Sequence, residues 1–519
     1  MSQSIGRRTA RNSISSLMVN SWYLLSRFLL TPLTLHYLAL NEYGLWSLCF
    51  VVMSFLAMTS MGIEGAYIKY VAEFHAHQQS DRINRLLSTG LVLTSLIALV
   101  FLCGLWLSMD WLLDLLKISA SLRDTARVLF LGTGLAFALD ISLNGFGRVL
   151  DGMQQIELTS RVRFVTTFLE IVLIILFLVS GFGIFGLLAA FLIRYLLAIL
   201  INMYLAFRLI PELRIGFGYC DRASLKLLLK YGGQLQFLGF VGIFMGTFDR
   251  LVITRFLGLA ATGLYEVGRK LPATGTSIPA VISGAMMPAL SHLQSLQDMT
   301  QARALFMVAS RYMAMISAYI FTSLFVVAPY AIYVWLGPGY DEAVGVMYVI
   351  SAGALINLLT GTGSAATKGF GRLDLEMKYA LLNLLLCLVM APLLTLQFGL
   401  IGAAMGVAGS KVIASLYFIG ITNRLLKVGL PEYFRQVLHP LFASILSAAG
   451  LFAALHLLID LNTNSRPLVA AILLAATALH LLVSGLLLWL SRGLMTTEKH
   501  WLQQRIENLS AFLARRRLS

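Results

Sequence analysis

The chain carries little charge for its length. Asp, Glu, Lys and Arg make up only 12% of its 519 residues, against about a quarter in a soluble chain. That scarcity excludes a sizeable water-exposed domain. Cysteine is scarce as well. Cys49, Cys103, Cys220 and Cys387 are scattered with no CxxC pair, which excludes a disulfide framework and a cysteine metal site. A Walker loop and an HExxH motif are absent, so work driven by bound nucleotide and enzyme chemistry are not expected of this chain. No cofactor and no metal are expected.

What remains is apolar. Hydrophobic residues are 58% of the chain, and mean hydropathy is +0.82. Runs of roughly 20 apolar residues recur from end to end. The expected fold class is an all-α integral membrane protein with about fourteen spans, at 14–37, 44–68, 87–108, 124–147, 159–179, 185–206, 231–256, 263–290, 304–335, 345–367, 379–396, 401–421, 437–459 and 467–490. The first follows Arg7, Arg8 and Arg11 but is too long for a signal peptide. It has no small-x-small cleavage site and carries Arg27 at its centre, so it reads as a retained span.

The net charge of +15 argues for membrane orientation and not for nucleic acid. With the N-terminus inside, the inner segments hold 27 Lys and Arg, while the outer ones hold only Lys117 and Arg466. The positive-inside rule then places both termini in the cytoplasm.

An internal repeat organises the spans. Gly145-Phe146-Gly147-Arg148 returns as Gly369-Phe370-Gly371-Arg372, 224 residues on. Tyr43-Gly44-Leu45-Trp46 returns as Thr262-Gly263-Leu264-Tyr265 after 219, and Gly183-x-x-Gly186 as Gly399-x-x-Gly402 after 216. Three matches in one order at near-constant offset predict two parallel six-helix lobes around a central cavity. The expected organisation is an N-lobe at 1–206, a cytoplasmic connection at 207–230 and a C-lobe at 231–425. Two additional helices follow at 426–490. The tail 491–519 has Leu502, Ile506, Leu509 and Leu513 at helical spacing before Arg515-Arg516-Arg517, the pattern of an amphipathic basic helix on the cytoplasmic leaflet.

Charge inside the spans is the functional signal. A charge in hydrocarbon costs several kcal/mol unless it meets a partner or a wet cavity. Arg123, Arg127 and Arg255 sit near span ends and can snorkel to headgroups. Arg27, Arg194, Arg250, Arg269, Lys270, Arg311 and Lys411 lie deeper, with Asp140, Glu170, Asp249 and Glu266 as available partners. Seven deep cations against four acids leave a positive interior, which an anion would complete. Asp249 and Glu266 are also candidates for coupling transport to an H+ or Na+ gradient. Pro272 and Pro279, with nearby glycines, are hinge candidates.

Several stretches resemble the polysaccharide flippases (Wzx-type) of the multidrug/oligosaccharidyl-lipid/polysaccharide exporter superfamily. They are Leu40 to Trp46, Met61-Gly62-Ile63 through Ile68 to Glu73, and Asp249 to Ile253 followed by Phe256-Leu257-Gly258. Arg269-x-x-Pro272, Met287 to Ser291 and Ser26-Arg27 also match motifs of the lipid II flippases, in which the Arg corresponding to Arg269 lines the cavity and is needed for transport. Those proteins carry an Arg-Asp pair where Thr31-Pro32 stands here, which favours a different lipid-linked glycan. The resemblance implies an undecaprenyl-pyrophosphate-linked oligosaccharide, moved from the cytoplasmic to the periplasmic leaflet of a bacterial inner membrane by rocking of the lobes. The implied partners are this lipid-linked oligosaccharide, membrane lipids, and the polysaccharide polymerase and glycosyltransferases of the same pathway. It casts Arg27, Arg269 and Lys270 as pyrophosphate ligands, with Arg250 secondary. An efflux antiporter for small cationic molecules would need acids and aromatics where this chain has excess cations. A membrane glycosyltransferase or polymerase would need longer outer loops than 109–122.

Overall fold

The computed structural model describes residues 2–459 and 465–490; the expected tail helix at 491–519 lies outside the described residues. Among the described residues the regular structure is entirely helical. The first group is α1 (Ser2–Tyr37), α2 (Leu40–Ala76), α3 (Ser80–Leu107), α4 (Met109–Leu115), α5 (Arg123–Leu143), α6 (Gly145–Gly152), α7 (Ile156–Val179) and α8 (Gly183–Leu209). Then come α9 (Arg222–Leu257), α10 (Leu259–Ser295), α11 (Met299–Leu336), α12 (Asp341–Leu358), α13 (Gly361–Gly369), α14 (Leu373–Leu425), α15 (Leu430–Leu458) and α16 (Arg466–Leu490). The expected spans all fall on these helices. Ten of the helices, among the described residues, are long and apolar enough to cross a membrane.

By packing, the chain forms two units. The first holds Met1–Lys270 and Leu384–Val407; the second holds Leu271–Asn383 and the described chain from Ala408. Each is apolar outside as well as inside. Leu99, Val100, Trp106 and Leu396 of the first unit and Phe442 and Leu474 of the second are all more than half exposed, as they must be where the solvent is lipid. In the first unit, Leu45, Leu48 and Met53 of α2 pack with Phe130 of α5 and Leu187 of α8 in one buried cluster. In the second, α15 and α16 join α11 through Val326, Tyr330, Leu451 and Val469. Buried His480 accompanies them, within hydrogen-bond distance of Ser447 Oγ at 2.9 Å and Thr322 Oγ1 at 3.1 Å.

The repeated glycines have matching geometry. Gly183 and Gly399 both adopt positive φ, 55° and 60°, where a side chain would be strained. Gly399 folds α14 back on itself, so Gly406 approaches the backbone of Ala391. The outer segment expected at 397–400 is therefore a hairpin bend inside α14. Gly44 and Gly263 meet reciprocally: a Cβ on Gly44 would lie 2.0 Å from Leu259 O, and one on Gly263 2.8 Å from Leu40 O. This is the close backbone approach that small residues permit between membrane helices. Gly44→Ala has a carbonyl and no flexible side chain to displace, so it should cost about 1–3 kcal/mol. Thermal unfolding in detergent measures the loss.

The connection 207–230 is tied to α3. Asn84 Nδ2 donates to Glu212 O at 3.0 Å, and Asn84 Oδ1 accepts from Arg214 N at 3.0 Å. Asp221 N donates to Thr89 Oγ1 at 3.1 Å. Asn84 is 4% exposed, so Asn84→Ala leaves two main-chain groups short of a partner. A loss of about 1–3 kcal/mol is expected, read as a lower midpoint in the same unfolding assay.

Three cations expected at span ends have local partners. Arg123 bonds Asp114 of α4. Arg127 pairs with Asp110 of α4 at 2.5 Å and Asp124 at 3.1 Å. They therefore do not rely on headgroups alone: the carboxylates of α4 neutralise them. Arg255 lies over the Phe256 ring at 5.7 Å.

Candidate functional site

The first unit gathers most of the deep charges. Along α1, Tyr23, Arg27, Thr31 and Thr34 fall at helical spacing on one face, and all four line the same cavity. Arg27 donates through Nη2 to both carboxylate oxygens of Glu170 on α7, at 2.8 and 2.6 Å. Arg194 of α8 brings its Nε to 3.6 Å from the same carboxylate. Glu170 is 1% exposed. Two guanidiniums thus share one buried anion. Aromatic rings shield them: Arg27 lies 4.9 Å from the Tyr23 ring centre and Arg194 4.7 Å from that of Tyr195.

A second group stands on α9 and α10. Tyr265 OH donates to Asp249 Oδ2 at 2.8 Å, while Arg250 Nε lies 3.7 Å from Asp249 Oδ1. Glu266 is bracketed by Arg250 Nη1 at 3.8 Å and Arg269 Nη1 at 3.4 Å. Arg250 also donates to Gly246 O at 2.6 Å, which fixes its fork along its own helix. Lys270 Nζ reaches across to α1 and α2, donating to Thr31 Oγ1 and, at 3.2 Å, to Tyr43 OH. Thr31 in turn donates to Arg27 O.

Both groups open on one cavity of about 240 Å³, lined by Tyr23, Arg27, Thr31, Thr34, Tyr43, Ser47, Arg250, Glu266 and Lys270 among others. The lining of this cavity holds three cations, Arg27, Arg250 and Lys270, against one carboxylate, Glu266, an excess of two positive charges. Such charge in an apolar span attracts an anion at close range.

The expected residues divide as follows. Arg27, Arg250, Glu266 and Lys270 line the cavity. Arg269 stands behind Glu266, and Asp249 is buried under Tyr265. Arg194 lines a neighbouring cavity. Arg311, which is buried, and Lys411 belong to the second unit. Pro272 and Pro279 sit inside α10, which continues as helix through both and through Pro288. Tyr23, Thr31 and Tyr43 were not singled out as ligands from the sequence. Tyr43 lay in a repeated motif, but hydroxyls on apolar helices carry no signal of their own.

Apolar, membrane-length helices around a buried charged cavity make this an integral membrane protein with a polar interior site, and comparison with known proteins gives it a family. The chain belongs to the polysaccharide biosynthesis protein family, whose model matches residues 37–345. It is 23% identical over 428 residues to an uncharacterized membrane protein of Methanocaldococcus jannaschii, covering 78% of this chain and 84% of that one. It is 18% identical over 394 residues to the Shigella flexneri protein named "Putative O-antigen transporter", covering 74% and 91%. Among solved structures, the lipid II flippase MurJ in an inward closed conformation superposes with a TM-score of 0.71 at 12% identity, covering 92% of this chain and 98% of that one. An inward-facing multidrug resistance MATE family transporter of the MOP superfamily gives 0.66 at 15% identity, covering 81% and 98%. The fold is the one shared by the MurJ flippase and the MATE transporter.

Proposed function

We propose that this protein is a flippase for an undecaprenyl-pyrophosphate-linked oligosaccharide. The observation that carries the reading is the two-charge excess around a cavity lined by Arg27, Arg250 and Lys270. A lipid pyrophosphate is dianionic, and its sugar cannot cross hydrocarbon unaided. Membership of a polysaccharide biosynthesis family and likeness to a protein named for O-antigen transport support the same cargo.

In this reading the protein lies in a bacterial inner membrane with both termini in the cytoplasm. It takes the lipid from the glycosyltransferases that build it and delivers it to a polymerase outside. Parting of Gly44 from Leu259 and of Gly263 from Leu40 opens the cavity outward, and α10 bends at Pro272 or Pro279. Asp249 and Glu266 are the groups through which an H+ or Na+ gradient would act. A cationic-drug antiporter fits poorly, because the cavity has the wrong sign of excess charge.

Cells deleted for the protein should accumulate the lipid-linked glycan on the inner leaflet and lose surface polysaccharide, and a plasmid copy should restore both. Unchanged surface glycan in the deletion, alongside altered resistance to cationic drugs, would replace this reading with the antiporter.

A further inference from the structure

A second cavity in the first unit, of about 260 Å³, lies between α5 and α6, α7 and α8. Its lining differs in kind from that of the first. Arg148 pairs with Glu64 at 2.6 Å and with Asp151 at 3.1 Å, and Thr159 donates to Asp151 at 2.6 Å. Arg163, Arg194 and Asp140 complete the charged set. The lining holds three guanidiniums against two carboxylates, and Glu64, bonded to Arg148 from outside the lining, brings the charges to balance.

Two amides add to this lining. Asn144 Oδ1 and Asn202 Nδ2 each come within 3.2 Å of where a Cβ on Gly147 would stand. The glycine leaves room for both. Asn202 Oδ1 is buried and accepts no hydrogen bond within the protein, although buried polar atoms ordinarily find a partner. It calls for a donor from whatever enters. Carboxylates, amides, guanidiniums and a threonine hydroxyl around a neutral space suit a ligand rich in hydroxyls, which both donates and accepts at every position.

The place of this cavity matters as much as its chemistry. Arg194 lines it and also lies 3.6 Å from Glu170, which binds Arg27 of the first cavity. Buried Glu170 thus links Arg27 of a site of positive excess to Arg194 of a balanced polar one, as the parts of a glycosylated pyrophosphate would require.

We propose that this second cavity is a saccharide subsite, taking sugar attached to the pyrophosphate held at Arg27, with Asn202, Asp151 and Arg163 meeting its hydroxyls. The proposal rests on the flippase reading above and adds to it a neutral polar subsite, inside the first unit, that reads the glycan.

The test uses the full-length protein in lipid nanodiscs. Binding is measured for undecaprenyl pyrophosphate and for the same lipid carrying N-acetylglucosamine or galactose. The wild type should bind at least one sugar-bearing lipid about tenfold more tightly than the bare lipid. Asn202→Ala and Asp151→Asn should bring that ratio close to one while leaving the affinity for the bare lipid unchanged, which also shows that the variants fold. Gly147→Ala, whose Cβ would meet both amides at 3.2 Å and oblige them to shift, should lower the ratio as well. Equal binding of all three lipids by the wild type, or a ratio unmoved in the variants, would mean that the cavity holds only water and would overturn the subsite. Failure of the wild type to bind any of the three would overturn the flippase reading itself.

Discussion

Replacing Arg27 and Lys270 together by glutamine should lower glycan export at least a hundredfold while the protein still reaches the membrane. Both residues line the cavity, and both reach it from different helices, so the pair clasps one space. A hydrogen bond to a charged group contributes about 1.5–3 kcal/mol, and about 1.4 kcal/mol is a factor of ten. Depriving a bound pyrophosphate of two such hydrogen bonds therefore weakens its hold at least a hundredfold. Lys270→Arg keeps the charge and should retain most export. Arg269→Gln should weaken export less than Lys270→Gln, because Arg269 acts through Glu266. Surface polysaccharide in a deletion strain carrying each variant at matched membrane level provides the measurement. Full export by the double variant would remove the pyrophosphate from this cavity.

Glu170→Gln should be the most destabilising single change in the first unit. The carboxylate accepts two hydrogen bonds from Arg27 and neutralises Arg194 as well, at 1% exposure. Removing one partner from a buried ion pair costs about 3–5 kcal/mol, since the remaining charge stays desolvated. Here two guanidiniums would be stranded. Arg27→Gln added to Glu170→Gln should recover part of the loss, because the double change removes one of the stranded charges. Thermal unfolding of the four proteins in detergent gives the coupling. Strictly additive losses would show that Arg27 and Glu170 do not act as a pair.

Much of the fold was legible because the membrane punishes ambiguity. Apolar runs and the repeated glycine turns are each dictated by hydrocarbon, and the spans that the apolar runs marked fall on helices. The likeness of Gly183 to Gly399 could be read as spacing, and it recurs as a shared positive φ. The bend at Gly399 that closes a helical hairpin in place of a short loop could not, because its tightness depends on Gly406 meeting Ala391.

For the site, the presence of charge was readable and its direction was not. Arg269 and Lys270 are neighbours in sequence but about 100° apart around a helix of 3.6 residues per turn. Lys270 faces the cavity, whereas Arg269 backs Glu266. Arg250 and Arg269 accordingly exchange the prominence expected of them. Glu170 appeared as one possible partner among four acids, and only packing of α1, α7 and α8 reveals that Arg27 and Arg194 share it. Hydroxyls such as Thr31 and Tyr43 become ligands of Lys270 only once three helices converge.

The central claim is that an excess of positive charge in this cavity carries a lipid pyrophosphate across the bilayer. Reconstitution into liposomes tests it most directly, with an undecaprenyl-pyrophosphate-linked oligosaccharide in one leaflet and an impermeant enzyme that modifies the sugar on the other side. The wild type should expose the lipid to the enzyme, and the Arg27→Gln/Lys270→Gln protein should expose it no faster than empty liposomes. Equal exposure by the two proteins, or none by a folded wild type under any ion gradient, would contradict the account.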